Sequence, residues 1–90
     1  MIENNKIGFL KYSTCKTVGA IKLSNITTIN IDVDNKCLLY INSKLLLKFS
    51  KLSNDDIKDI IEQIVLNIEF YSDSDLNLND IIKCKGALIE

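Results

Sequence analysis

The sequence contains no histidine, arginine, tryptophan or proline, and all eleven of its cationic side chains are lysines. Histidine is the one side chain whose unperturbed pKa lies near neutral pH, so its absence excludes Ser-His-Asp triads, Cys-His pairs and HExxH zinc sites. Arginine grips phosphate with two parallel hydrogen bonds, and its absence removes such clamps and the commonest specific contact to guanine. We therefore expect a protein that is not an enzyme.

The charge balance argues against nucleic acid as the main partner. Eleven lysines and twelve carboxylates leave a formal charge of −1, whereas proteins that bind duplexes usually carry a basic face that displaces counterions. Ile, Asn and Lys together make up 36 of the 90 residues. These three residues share AT-rich codons, which indicates an AT-rich genome. The small size and this bias together fit a gene of phage or mobile-element origin.

Cysteine usage and hydropathy indicate the compartment. Cys15, Cys37 and Cys84 form no CxxC pair, so no structural zinc site is indicated, and their odd number favours reduced thiols. No apolar run approaches the roughly 20 residues that span a bilayer. The polar stretch 1–6 lacks the layout of a signal peptide. We expect a protein of the cytoplasm, either of a bacterium or of an infected host cell, that needs no cofactor.

The length of 90 residues and the apolar fraction of 47% predict one globular domain. Alternating apolar residues over 7–49 predict strands, and Ser24-Asn25, Asp34-Asn35 and Asn42-Ser43 are typical turn pairs. We expect an antiparallel meander of four or five strands at 7–12, 18–23, 27–33, 37–41 and 45–49. A sheet with one buried face needs a cover.

Residues 53–70 predict that cover, a long amphipathic helix. Its apolar side chains recur at helical spacing: Ile57, Ile60, Ile61, Ile64, Val65 and Ile68. Ser53 is a suitable N-cap, and Asp56 stands three residues later at the capping-box position. The chain is therefore predicted to be an α+β domain in which this helix packs on one face of the sheet.

A short C-terminal extension, 72–90, follows the helix. We expect a polar loop over 72–80, a single helical turn over 81–85 capped by Asn79 or Asp80, and a break at Gly86. Residues 87–89 either add an edge strand or stay loose. The extension therefore either completes the sheet, covers its open face or forms an interface.

Two carboxylate motifs are candidate metal sites. The stretch that begins at Asp73 resembles the start of a calcium loop, but Leu78 replaces the required glycine and Cys84 stands where the loop needs glutamate. Asp32 and Asp34 form a DxD pair that suits Mg²⁺ when substrate phosphates complete the ligands. A small Mg²⁺-dependent enzyme is thus a remote alternative, and we predict no metal.

The sheet face away from the helix is the best candidate for function. By alternation, Leu38, Tyr40 and Leu46 share that face, where they form an apolar patch typical of a partner interface, unless the C-terminal extension covers it. Asp55, Asp59 and Glu62 make the outer helix acidic, which suits a basic partner but also a simple solvated helix. We expect a protein partner and allow a homodimer through an open strand edge.

Three lysines give the alternative function. Lys44, Lys48 and Lys51 lie close together in sequence, and alternation places Lys44 and Lys48 on one strand face. They would form an anion patch for RNA, single-stranded DNA or an acidic membrane surface, with binding that weakens steeply as salt rises. Lysines on an outer strand face also discourage aggregation between sheet edges.

The segment Ala20-Ile-Lys-Leu-Ser-Asn-Ile-Thr-Thr-Ile29, two following strands and the helix resemble the second half of a bacterial PH-like or GRAM-like domain. The resemblance covers residues 20–68. It implies antiparallel strands leading into one amphipathic helix, and a scaffold for binding proteins. Only Lys11 and Lys16 flank the first turn, so lipid head-group binding is not implied. The leading hypothesis is a non-catalytic protein-binding module, such as an inhibitor or immunity-type protein that occludes its partner.

Overall fold

A computed structural model describes residues 7–90; the polar stretch 1–6 lies outside the described residues. The fold is α+β, as the sequence predicts. The elements are β1 (Phe9–Ser13), β2 (Val18–Lys22), a short 3-10 helix (Leu23–Asn25), β3 (Ile29–Val33), β4 (Cys37–Ile41), β5 (Lys44–Phe49), α1 (Asn54–Phe70), β6 (Leu76–Asn77) and α2 (Leu78–Cys84).

The strands form two three-stranded sheets instead of one continuous meander. Sheet A has the order β2-β1-β6, and sheet B has the order β3-β4-β5. All the pairings are antiparallel except that of β6, which runs parallel to β1. The division falls at the 3-10 helix after β2, because three residues of helical backbone interrupt the extended chain there.

Helix α1 begins and ends where the sequence predicts. The Ser53 side chain accepts a hydrogen bond from the Asp56 N–H at 3.2 Å, and the last helical residue is Phe70. Ile57, Ile60 and Ile64 are buried and join one core cluster with residues of both sheets and α2. Burying such a side chain contributes roughly 1.5–3 kcal/mol, which outweighs the weak helix propensity of isoleucine.

The C-terminal extension completes both sheets. β6 adds to sheet A, and α2 buries Leu78, Ile81 and Ile82 in the core. Beyond Gly86, which ends the helix with a φ of +87°, the Ser50 N–H donates to the Leu88 carbonyl at 2.9 Å, and Ile89 bridges to Phe49 in β5. The expected cap at Asn79 or Asp80 is wrong, because α2 begins at Leu78 and Asn77 caps it by accepting from the Asp80 N–H.

Asn42 fastens the turn between β4 and β5 to the chain that precedes β3. It has a φ of +52° and Ser43 a φ of +68°, the backbone that tight hairpins require and asparagine tolerates. The Asn42 Oδ1 accepts from the Thr27 N–H at 2.8 Å and from the Thr28 N–H at 3.2 Å, and its Nδ2 donates to the Asn25 carbonyl at 3.0 Å. One side chain therefore holds the turn against residues 25–28.

Replacing Asn42 with glycine should lower the free energy of unfolding by about 2 kcal/mol, since glycine keeps the positive φ but loses these hydrogen bonds at ~0.5–1.5 kcal/mol each. Ser43→Gly is the matched control and should change stability by less than about 0.5 kcal/mol. Urea unfolding followed by circular dichroism measures both. An equal loss of unfolding free energy in the two variants would show that the Asn42 hydrogen bonds do not stabilise the fold.

Gly8 stands where the chain of β1 passes closest to the C-terminal extension. A Cβ at Gly8 would lie 2.3 Å from the Ser74 carbonyl oxygen, and the Gly8 N–H donates to the Ser72 carbonyl at 2.8 Å. We expect Gly8→Ala to destabilise by about 3 kcal/mol, because backbone must move to admit the methyl group. Gly86→Ala, which meets open space at a positive φ, should cost only about 1 kcal/mol. Thermal unfolding compares them, and a Gly8 variant as stable as the Gly86 variant would refute the close packing.

Candidate partner-binding surface

The register of sheet B defines the side chains of its outer face. Tyr40 lies opposite Asn30 on β3 and opposite Leu45 on β5, while Leu38 lies opposite Asp32 and Lys48. The intervening residues Cys37, Leu39 and Ile41 are buried in the core, so the first set points away from it. We call this set the Tyr40 face: Asn30, Asp32, Leu38, Tyr40, Leu45 and Lys48.

Leu46 is buried, although alternation predicts it to be exposed beside Tyr40. The ladder between β4 and β5 shifts register between Leu39 and Tyr40, so that Leu46 is an extra residue on β5. A bulge of this kind breaks strict alternation. Leu46 and Leu47 are both buried, at 7% and 1% exposed, whereas Leu45 is 39% exposed. Alternation predicts Leu46 beside Tyr40, whereas the register places Leu45 there. Leu46 is buried beside Leu45, and both line a cleft with Lys48 and the turn 14–17.

The C-terminal extension leaves most of the Tyr40 face open. It adds residues 88–90 to the edge of β5, and the Glu90 side chain pairs with Lys36 at this margin. Leu38 and Tyr40 are half-buried. Leu88 lies at the same margin and is 77% exposed. The face thus has an apolar centre with charged side chains around it.

A cleft of about 310 Å³ opens at one end of the Tyr40 face. Its lining residues are Asp32, Asp34, Asn35, Lys36 and Leu38. The DxD pair therefore shares one cleft, next to a lysine ammonium group. Within residues 7–90 no group of three or more His, Cys, Asp or Glu side chains is placed to hold a metal ion.

The acidic residues of α1 lie on a different surface. Asp55, Asp59 and Glu62 are exposed, and they face away from the core on a helix that packs on the core side of sheet B. The Asp59 carboxylate pairs with Lys85, and the hydrogen bond from that ammonium group lowers the Asp59 pKa. The structure therefore does not bring the acidic helix residues and the apolar sheet residues together into one site.

The same bulge separates two of the three candidate anion-binding lysines. Lys48 lies opposite Leu38 on the Tyr40 face, but Lys44 lies opposite the buried Ile41 and thus on the other side of the sheet. Lys51 is exposed in the segment between β5 and α1. The face shared by Lys44 and Lys48 that alternation predicts is therefore not formed.

The stretch that resembles a calcium loop is used to build sheet A. The Asp75 Oδ1 accepts from the Phe9 N–H at 2.9 Å, and Asn79 accepts from the Ser13 N–H at 2.9 Å while donating to the Ser13 carbonyl at 2.8 Å. These side chains extend the two-residue β6 at both ends, as added rungs of its ladder with β1. Their pairing spans 66 residues, and no local pattern in the sequence indicates it.

The sequence interpretation also missed an apolar surface at the end of α1. Leu66 and Phe70 are 42% and 67% exposed, and Tyr71 is 59% exposed. The signal was present, because residues four apart share a helix face and this pair lies outside the core stripe. Ser72 follows them, and its buried hydroxyl has no hydrogen-bond partner among the described residues.

Comparisons with protein-family models, with curated proteins and with solved structures found no match to this chain. Across residues 7–90, neither helix has both the length and the apolar composition needed to cross a membrane.

Ion pairing at Asp75 makes the contact between β1 and the extension sensitive to acid. The hydrogen bond from Lys11, at 2.9 Å, and that from the Phe9 N–H lower the Asp75 pKa below its ordinary value of 3.8. A carboxyl group with a lowered folded-state pKa stabilises the fold above its unfolded value, and that contribution is lost as the pH falls through the folded value.

We therefore expect Asp75→Asn to be less stable than the unmodified protein near about pH 6, with a difference that shrinks toward about pH 2. Urea unfolding at a series of pH values measures it. The control is Asp73→Asn, since the described residues give Asp73 no ion pair. A stability difference for Asp75→Asn that stays constant below pH 3.8 would contradict the assignment.

Proposed function

We propose that this protein is a small non-catalytic protein-binding module that acts by occluding its partner, and that the Tyr40 face is its binding surface. The single observation that carries the proposal is the apolar centre formed on neighbouring strands by Leu38, Tyr40 and Leu45. Exposed apolar patches rimmed by polar residues mark interaction sites. Tyrosine is enriched among the residues that dominate binding energy, because it offers a large rigid contact area and a polar end.

The charges around this centre indicate what the partner presents. Asp32 and Asp34 lie at the β3 side, in the cleft beside Leu38, and Lys48 lies on β5. A lysine or arginine of the partner fits this cleft, with its aliphatic stem against Leu38 and its charge near the two carboxylates. The partner surface we expect is an apolar centre flanked by a basic side chain on one side and an acidic one on the other.

An inhibitor or immunity-type protein encoded by a phage or mobile element, working in the cytoplasm, is the form of this function that we favour. The small size and the AT-rich codon bias support it. The resemblance of residues 20–68 to the second half of a PH-like or GRAM-like domain, which implies a scaffold for binding proteins, also supports it. Association of two copies through an open strand edge is compatible with this role.

The geometry favours this function over anion binding. An anion patch needs several cations on one surface to displace counterions together, whereas the bulge puts Lys44 and Lys48 on opposite sides of sheet B. The acidic residues of the cleft adjoin Lys48 on the Tyr40 face and would repel a phosphate backbone.

Photocrosslinking compares two tyrosines on different surfaces. A photoreactive phenylalanine at Tyr40, expressed in cells that carry the natural gene, should give one discrete protein adduct. The same substitution at Tyr71, which is 59% exposed at the end of α1, should not give that adduct. No adduct from position 40, or the same adduct from both positions, would overturn the proposal.

Once crosslinking has identified the partner, the free partner protein is purified and its affinity for this protein is measured by calorimetry. Tyr40→Ser and Leu45→Ser should each weaken binding by about tenfold or more, and Asp32→Asn should weaken it less and reduce its dependence on salt. Tyr71→Ser is the matched control and should bind as the unmodified protein does. Circular dichroism of each variant shows whether it is folded. Unchanged affinity in folded Tyr40→Ser would assign the binding surface elsewhere.

A further inference from the structure

β3 forms an open edge of sheet B. At the opposite edge, β5 pairs with residues 88–90, but β3 pairs only with β4 among the described residues. An edge strand presents a row of unpaired N–H and C=O groups that are available to another chain. Natural proteins commonly blunt such edges with lysine or proline. Residues 29–33 contain neither and have Asp32 as their one charged side chain, whereas β2, an edge of sheet A, carries Lys22.

The hydrogen bonds at the two ends of β3 show which of its backbone groups point outward. The Asn42 N–H donates to the Thr28 carbonyl at 2.9 Å, and the Asp34 N–H donates to the Lys36 carbonyl at 3.2 Å. Along an antiparallel ladder, residue pairs that exchange backbone hydrogen bonds alternate with pairs that do not. Every second residue of β3 therefore bonds to β4, which includes Asn30 and Asp32. The N–H and C=O groups of Ile29, Ile31 and Val33 therefore face away from the sheet.

The same three residues leave apolar surface at the edge. Ile29 and Ile31 pack against the core but are only half-buried, and Val33 is 37% exposed. Their equivalents on β4, which has a strand on each side, are all buried, at 1% exposed or less: Cys37, Leu39 and Ile41. A strand added beside β3 would thus bond to three outward-facing residues and cover apolar side chains at once.

We propose that this strand is β3 of a second copy of the chain, paired antiparallel about a twofold axis at Ile31. The Ile31 residues of the two copies then lie opposite each other, Ile29 lies opposite Val33, and Asn30 lies opposite Asp32. The outward-facing groups of all three apolar residues find partners, giving about six hydrogen bonds. Sheet B of one copy and sheet B of the other then form one continuous sheet of six strands.

Charge selects this register over its neighbours. A shift of two residues in one direction places Asp32 opposite Asp32 of the second copy, and like charges directly opposite each other are destabilising. The shift in the other direction leaves Val33 opposite the polar Thr27. A shift of one residue places the outward-facing N–H and C=O groups of one copy opposite residues of the second copy whose backbone groups already bond to β4. In the proposed register each Asp32 carboxylate faces an Asn30 side chain, whose NH₂ group donates hydrogen bonds.

The dimer would present two Tyr40 faces on one continuous surface. Three strand spacings separate the two β4 strands, so the Tyr40 residues of the two copies would be about 14 Å apart across the strands. The interface is narrow, because it is one strand edge, so association depends on protein concentration. This inference depends on the edge of β3, not on the partner proposed for the Tyr40 face.

Disulfide trapping tests the register. The exposed Cys15 and Cys84 are first replaced by serine, and Asn30→Cys and Asp32→Cys are then made in separate proteins. Opposite residues of a non-hydrogen-bonded pair have Cβ atoms about 4.5–5.5 Å apart, near the distance that a disulfide needs. A mixture of the two proteins should form crosslinked heterodimers at least about fivefold faster than either protein alone. A protein that crosslinks to itself as fast as the mixture, or no crosslink at all, would overturn the proposed pairing.

Sedimentation equilibrium tests the edge itself without cysteines. Ile31→Pro removes an outward-facing N–H and leaves the bonds to β4 in place, so it should stay folded and become monomeric at every concentration. Val18→Pro makes the same change on the open edge of β2 and should still dimerise. A monomeric unmodified protein at concentrations up to about 1 mM, or a folded Ile31→Pro variant that still dimerises, would refute β3 pairing.

Discussion

The return of the C-terminal extension onto both sheets is the constraint on which the rest of the structure depends. Residues 75–79 bond to β1 through two backbone pairs and two side chains, and residues 88–90 bond to β5. Between these contacts, α2 places three large apolar side chains in the core. One segment of chain therefore protects one edge of each sheet and fills the space between them.

The position of the C-terminal extension determines which sheet edges and which sheet face stay uncovered. It occupies the free edges of β1 and β5, so among the strands of residues 7–49 the edges left open are those of β2 and β3. Because it runs along the margin of sheet B, it covers little of the outer face around Tyr40. The proposed binding surface and the proposed dimer edge are thus adjoining parts of the same sheet, with Asn30 and Asp32 belonging to both. A partner on the Tyr40 face would meet a surface whose extent depends on whether two copies are paired.

Local features of the fold were predictable from the sequence, and long-range features were not. The Ser53 cap, the isoleucine stripe of α1 and the alternation in β3 and β4 each rest on neighbouring residues, and the structure confirms them. The bulge at Leu46 was hidden because Leu45, Leu46 and Leu47 are identical side chains, so no change of polarity marks the extra residue. The pairing of Asp75 and Asn79 with β1 joins residues 66 apart, and no periodicity encodes it. Alternation therefore predicts Leu46 beside Tyr40, where the register places Leu45.

Amide hydrogen exchange measured by NMR on the unmodified protein tests the closing role of the C-terminal extension most directly. The amide protons of Phe9, Ser13 and Ser50 bond only to that segment, so we expect them to exchange as slowly as the amides within β4. At low protein concentration the outward-facing amide of Ile31 should exchange much faster than these three. If the Phe9, Ser13 and Ser50 amides instead exchange as fast as that of Ile31, the extension does not close the sheets and the account is wrong.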